Sequence, residues 1–384
     1  SDQYKTRKKP RMKIALISSS QIPSTTANSI QVMKVAHSLT RQGHEINLLV
    51  PGSGSTPWPV LQSHYGVEQP FDIHWLPSQH MLKRYDMAFT AVNQATSWKA
   101  DLIYTWLPQA AALSLMRHIP TMMEMHDMPS GRMGPTLFKQ FVRHPGKKRL
   151  LVITQALYDK LRREHQFNLP EQEYRISPNG ADLHHYENLP SPAEARRQLG
   201  LKDGLTVGYT GHFYSGRGMD LLLKLIPEFP QVNFLIVGGQ PDKVAAWQNY
   251  MHLPQYRNVH TTGFVDNFRL PLYQAAAEIL LMPYEQVIAG SSGGNSAEIC
   301  SPMKMFDYMA AGRAILSSDL PVFHEVLNEN NAVFCPPNDA EAWKQALGKL
   351  IQDPDGCCIL GGQARQDAMN YSWDARAQKA LRDF

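Results

Sequence analysis

The chain has 384 residues, of which 43% are hydrophobic and 19% charged, with a net charge of +4. That length accommodates two domains with cores of their own, the composition excludes an intrinsically disordered chain, and the small charge excess argues against a nucleic-acid partner. No apolar run reaches the roughly 18 residues that a membrane-spanning helix needs.

The N-terminal stretch SDQYKTRKKPRMK carries positive charge with no apolar segment behind it, so no secretory leader is expected, and MKIALIS makes Met12 a natural start. A second basic cluster comprises Lys139, Arg143, Lys147, Lys148 and Arg149. Two readings fit the clusters: a solvated face, or contact with an anionic membrane surface. Cys300, Cys335, Cys357 and Cys358 form no C-x-x-C pair, which reads as free thiols in a reducing cytoplasm, with peripheral attachment at the inner membrane face as an extension.

In chain order, KIALIS (13–18), EINLLV (45–50), FDIHWL (71–76), DLIYTW (101–106), PTMMEM (120–125) and LLVIT (150–154) read as buried strands. Amphipathic stretches such as SIQVMKVAHSLTRQG (29–43) lie between several of them, with Gly43 where a helix ends. The alternation restarts with LTVGYT (205–210), NFLIVGG (233–239), EILLMPY (278–284) and RAILSS (313–318). MDLLLKLIPEF, FRLPLYQAAA, PMKMFDYMAAG and AEAWKQALGKLI are the accompanying helices. The Pro-, Gly- and Asn-rich ISPNGADLHHYENLPSPAEARRQLGLKDG reads as an interdomain hinge. The fold class is therefore α/β, with two doubly wound parallel-sheet domains over 1–190 and 191–370, facing a central cleft.

Two segments of the second domain predict an anion site. In EICSPMKMFDYMAAG, Ser301 is a suitable N-cap and Pro302 a suitable first helical residue. The backbone N–H groups of Met303, Lys304 and Met305 would then face an anion, and Asp307, one turn on, could accept from a ribose diol. The Gly/Ser-rich IAGSSGGNS (288–296) precedes it. In YTGHFYSGRGMDLL, a glycine turn brings Arg217, and with it His212, to the mouth of the sheet, where a guanidinium suits a diphosphate. Neither the Walker loop nor the G-x-G-x-x-G fingerprint is present, and SSSQIPS after the first strand argues against a nicotinamide oxidoreductase.

In their order and spacing these segments, with the opening IALISSSQIPSTTANSIQVMKVAHSLTRQGHEINLLVP, VITQALYDKL…ISPNGADLHHY and HTTGFVDNFRLPLYQAAAEILLMPY, resemble the retaining nucleotide-sugar-dependent glycosyltransferases of the GT-B fold, family 4. The resemblance implies a diphosphate ligand role for Arg217, with Ser301, Met303, Lys304 and Met305 around the diphosphate and Asp307 on the ribose. It implies base contacts through Gly263, Phe264 and Val265, and a sugar- and acceptor-side role for His126, followed by Asp127. Loop 18–28, with Ser24, Thr25 and Asn28, takes the place of the first domain's active-site loop. The tail 371–384 is expected to cross back onto that domain.

Three departures stand out. The family pairs two Glu separated by seven residues, whereas here Asp307 takes the second place and Ile299, eight positions before it, the first, with Glu298 one residue off. His212 stands in a phosphate turn one residue short, and the first loop has Ser, Thr and Asn for glycine. The implied activity is retaining transfer of a hexose from a nucleotide sugar, UDP-hexose favoured over GDP-mannose, to a glycan, glycolipid or small-molecule hydroxyl. No cofactor or metal is expected, since the fixed positive potential of Arg217 and the helix start at Ser301–Met305 can do a divalent metal's work. Met122, Met123, Met125, Met128 and Met133 around His126 read either as core or as a surface for a lipid-linked acceptor. The competing class is a non-catalytic nucleotide-sugar-binding module of the same fold.

Overall fold

A computed structural model describes residues 11–82, 84–288 and 295–384. Most of the N-terminal basic stretch and of the 288–296 loop therefore lies outside the described residues. The first sheet is built from β1 (Lys13–Ile17), β2 (Glu45–Pro51), β3 (Asp72–Leu76), β4 (Leu102–Thr105), β5 (Thr121–Met125), β6 (Lys148–Val152) and β7 (Tyr174–Ile176). The second contains β8 (Thr206–Thr210), β9 (Asn233–Val237), β10 (Val259–Gly263), β11 (Ile279–Met282), β12 (Ala314–Ser318) and β13 (Val333–Cys335).

Their orders are β3-β2-β1-β4-β5-β6-β7 and β10-β9-β8-β11-β12-β13, and every pairing is parallel. Central strands covered by helices on both faces must be apolar throughout, which is why they were legible as continuous runs. The strands that escaped the sequence reading, β7, β10 and β13, are all edges with half-exposed residues, so they carry no such run.

The hinge segment is more ordered than its composition predicts. Residues Leu183–Tyr186 form a 3₁₀ turn and Pro192–Leu199 an α-helix, whose Ser191 hydroxyl accepts from the Glu194 N–H at 3.3 Å. Pro192 starts this helix rather than breaking one, because the first helical residue needs no N–H donor. The C-terminal helix Trp373–Leu381 leaves the second domain and packs Trp373, Ala377, Ala380 and Leu381 into the core under β1 and β2. The Ser38 hydroxyl donates to the Trp373 carbonyl at 2.9 Å. No described helix is long and apolar enough to cross a membrane.

Candidate active site

In each sheet the strand order reverses beside the central strand, between β1 and β4 and between β8 and β11. Crevices at the carboxyl ends of such strands are where doubly wound sheets bind ligands. Here the two crevices face each other. A cavity of about 260 Å³ joins them, lined by Thr210 at the end of β8, Gly211, His212 and Arg217 after it, Tyr284 after β11, Ser301–Lys304 and Asp307, and by Asn28, Gln31 and His126 across the cleft.

Arg217 and Lys304 are the centre of this cavity's chemistry. Neither has a carboxylate partner among the described residues. The Arg217 guanidinium lies 4.8 Å from the Tyr284 ring centroid, and Lys304 Nζ lies 4.0 Å from that of Tyr209. Lys304 Nζ is covered and has no hydrogen-bond partner among the described residues. Burial, with the Arg217 charge beside it, pushes the ammonium well below the ordinary lysine range. Two adjacent cations without counter-charge are costly unless an anion completes them.

Local backbone dictates this placement. Gly218 has φ +79°, and a Cβ there would overlap the Pro283 carbonyl, so the turn that delivers Arg217 requires glycine. Gly211, at φ +141°, leaves the space beside Lys304 Nζ that a side chain would fill.

The helix Met303–Ala311 starts one residue later than the sequence predicts. Pro302 holds the cap position in extended geometry, and Ser301 does not cap it. Instead the Ser301 hydroxyl accepts from the Asn179 N–H at 3.2 Å, while Asn179 Nδ2 donates to the Ser301 carbonyl at 2.6 Å. The Met305 N–H donates to Pro302, so Met303 and Lys304 supply the uncommitted donors at this helix start. Burial pushes the Asp307 carboxyl up to about 7, with Asp182 raising it further and Lys34 opposing.

His212 spans the cleft. Its Nε2 lies 2.9 Å from the Thr25 carbonyl, which can only accept, so Nε2 carries the proton. Burial lowers its pKa, keeping the ring neutral beside the two cations.

On the opposite wall, His126 Nε2 is 2.6 Å from the buried Glu124 carboxylate. Glu124 also accepts from Gln31 Nε2 at 2.7 Å, from Tyr104 and from Arg376 of the C-terminal helix. Burial alone would raise this carboxyl, but the Arg376 guanidinium and the His126 bond bring it down to about 2. An ionised Glu124 makes Nε2 the donor and fixes the imidazole's orientation. Beside it opens a pocket of about 480 Å³, lined in part by Ser18–Ser20, Trp106, Met125, Asp127, Met128 and Met133. Met122 and Met123 are fully buried core residues, so the methionine cluster divides between core and pocket.

Several expected residues lie elsewhere. Glu298 points outward, 68% exposed and 3.4 Å from Lys160, because the neighbouring Ile299 is buried in the first domain's core and its carbonyl accepts from Thr154 Oγ1 at 2.8 Å. Ser296 and Cys300 line the cavity on either side of it. Gly263, Phe264 and Val265 do not line the cavity: Gly263 ends β10, the exposed Phe264 stacks on His64 at 5.3 Å, and Val265 packs in a satellite core. Thr25 belongs to the interdomain seam through His212, whereas Ser24 is held within the first domain, its N–H donating to the Tyr65 hydroxyl at 2.8 Å. The second basic cluster is not one surface. Lys148 is buried against Glu173 at 2.6 Å, and Arg149 donates to the carbonyls of Gln172, Ala380 and Arg382, which leaves Lys139, Arg143 and Lys147 exposed.

Glu124, Arg376, Gln31 and Tyr284 are site residues that the sequence reading missed. Glu124 carried a signal: a carboxylate within the apolar PTMMEM run, two positions before His126, must share a strand face with it and have a buried partner. Arg376, far along the chain, carried none.

Two family models match successive parts of the chain, "Glycosyltransferase Family 4" over residues 29–185 and "Glycosyl transferases group 1" over 204–353. Among similar proteins is a phosphatidyl-myo-inositol mannosyltransferase of Mycolicibacterium smegmatis, 23% identical, covering 92% of this chain and 88% of its own. A D-inositol 3-phosphate glycosyltransferase of Xylanimonas cellulosilytica is 24% identical, covering 92% and 90%. Among solved structures, Anabaena HepE in complex with UDP matches with a TM-score of 0.71 at 17% identity, over 96% of this chain and 98% of that one. Sucrose-phosphate synthase from Thermosynechococcus elongatus matches with a TM-score of 0.74 at 18% identity, over 96% and 97%. The family models fall one on each side of the cleft whose two crevices face each other, and the chain belongs to glycosyltransferase family 4, with the GT-B fold.

Proposed function

We propose that this glycosyltransferase moves a hexose from a nucleoside-diphosphate sugar to an acceptor hydroxyl, with retention of anomeric configuration and without a metal ion. One observation carries the reading: Arg217 and Lys304, uncompensated and side by side at the β8/β11 reversal. A diphosphate supplies the missing counter-charge. As the bond from anomeric carbon to phosphate oxygen breaks, negative charge grows on the leaving group, and these fixed cations with the Met303 and Lys304 N–H groups stabilise it. Asp307 would take the ribose hydroxyls. The acceptor oxygen attacks from the face the diphosphate leaves, and its proton passes to a leaving phosphate oxygen. Glu124 borders the acceptor pocket, but its oxygens already accept from four donors, which leaves it no role as nucleophile.

UDP-hexose remains the favoured donor, in keeping with the UDP in the HepE complex, and the mannosyl transfer named for the mycobacterial relatives keeps GDP-mannose as the competitor. A lipid-linked acceptor suits the first domain's rim, where Tyr85 lines the pocket and Met81, Leu82 and Phe89 are exposed nearby in sequence. Gln31 Oε1, buried between the two cavities with no hydrogen-bond partner among the described residues, would accept from a sugar or acceptor hydroxyl.

A thermal-shift screen of nucleotide sugars tests the donor. A rise in Tm with one donor, absent in Arg217→Ala, is the expected result. The outward Glu298 favours a second reading, the non-catalytic binding module. Donor binding without either transfer or slow hydrolysis would select it.

A further inference from the structure

At the seam beside the Lys34–Asp182 ion pair, Glu68, His184 and His185 bring three potential ligand atoms within 4.8 Å of one another. Glu68 lies in the loop between the helix Trp58–Tyr65 and β3 of the first domain. The histidines belong to the 3₁₀ turn Leu183–Tyr186, whose Tyr186 is anchored in the second domain by a 2.9 Å bond to Gln274. His184 Nε2 is 3.7 Å and His185 Nε2 3.6 Å from the same Glu68 oxygen. Bond lengths typical of zinc to imidazole and carboxylate put neighbouring ligands of a tetrahedral ion roughly 3.4 Å apart. The separations are therefore those of ligands around an ion.

A second observation points the same way. The His185 side chain is 10% exposed, and its Nε2, aimed at Glu68, has no hydrogen-bond partner among the described residues. A buried imidazole nitrogen in that state is ordinarily satisfied by a donor, an acceptor or a metal. The surroundings hold the loop in place. His37 Nε2 accepts the N–H groups of both Glu68 and Gln69 at 3.1 Å, and the Phe268 ring packs edge-on against His185. Arg41 Nη1, 3.1 Å from His184 Nδ1 and 3.4 Å from its Nε2, is a neighbouring cation that must yield, and Asp374, at 3.3 Å from the same guanidinium, already holds it. Glu68, Asp182 and Asp374 face Lys34 and Arg41, so the neighbourhood has an excess of negative charge.

We propose that Glu68, His184 and His185 bind one divalent transition ion of the zinc class, with water at the open position, as a staple between the two domains. Two imidazoles and a carboxylate select such an ion over magnesium or calcium. None of the three residues lines the Arg217–Lys304 cavity, and the ion is assigned no part in sugar transfer.

The test titrates the metal-free full chain with Zn²⁺ against a chromophoric chelator. One ion per chain is expected, with affinity reduced at least about tenfold in the His184→Ala/His185→Ala double variant and unchanged in His324→Gln, whose ring pairs with Asp319 elsewhere. Thermal melts without metal show whether the double variant folds. Should it not, the exposed Glu68→Gln carries the comparison. Co²⁺ in place of Zn²⁺ should give the intense visible bands of a four-coordinate site, absent in Glu68→Gln. Failure to bind Zn²⁺ in competition with the chelator, or equal affinity in wild type and variants, overturns the proposal.

Discussion

The two walls of the cleft handle charge in opposite ways. On the second domain, Arg217 and Lys304 stand without carboxylates, and the chain bears the strain of keeping them together. On the first, the buried charges are answered internally: Glu124 by Arg376 and His126, and Lys34 by Asp182. An uncompensated wall is built to receive an ionic ligand, whereas a compensated one is built to hold neutral hydroxyls and an imidazole in fixed positions. The donor half thus spends stability on binding, and the acceptor half spends polar groups on rigidity.

Breaking the compensated wall should have the largest effect. Arg376→Met leaves the buried Glu124 without its guanidinium counter-charge, and a loss of about 3–5 kcal/mol is expected, read as a fall in Tm and in the denaturant midpoint. An unchanged Tm would mean that water reaches Glu124. On the other wall, Arg217→Ala should leave the fold intact and lower kcat by about 10²–10³, the usual cost of one charge-stabilising group. A loss confined to KM would instead make Arg217 a uniform binder of the donor.

Asp307 sharpens the comparison through pH. Its carboxyl is raised to about 7 in the fold from an ordinary 3.8, so the folded chain holds the extra proton between those values. Its contribution to stability is therefore greatest below that window and falls as pH rises toward about 7. Donor affinity should move the other way, strengthening as Asp307 ionises. Asp307→Asn should flatten both profiles, and a wild-type donor KM that is level across this range would remove Asp307 from the ribose site. The smallest effect belongs to Glu298→Gln. The pair with Lys160 is exposed, so a stability change within about 0–1 kcal/mol is expected. A large drop in kcat would return Glu298 to the sugar.

Legibility followed burial. The central strands and the anion-binding segments were visible because burial on two faces demands apolar runs and because glycine turns and helix starts have local rules. Edge strands such as β10 escaped for the converse reason, and so did the ordered linker, whose prolines begin a helix as readily as they end one.

What the amino-acid order by itself determined was the alternation that makes two parallel sheets, and the residue types at their carboxyl ends: Arg217 after a glycine turn, Lys304 and Asp307 on one helix, His126 at a strand's end. These depend on neighbours within a turn or two. Only the tertiary structure decided that Ile299 enters the core and turns Glu298 outward, that Arg376 returns to neutralise Glu124, and that Glu68 meets His184 and His185. Each of those outcomes is set by packing and charge between segments distant along the chain, and local sequence rules do not reach that far.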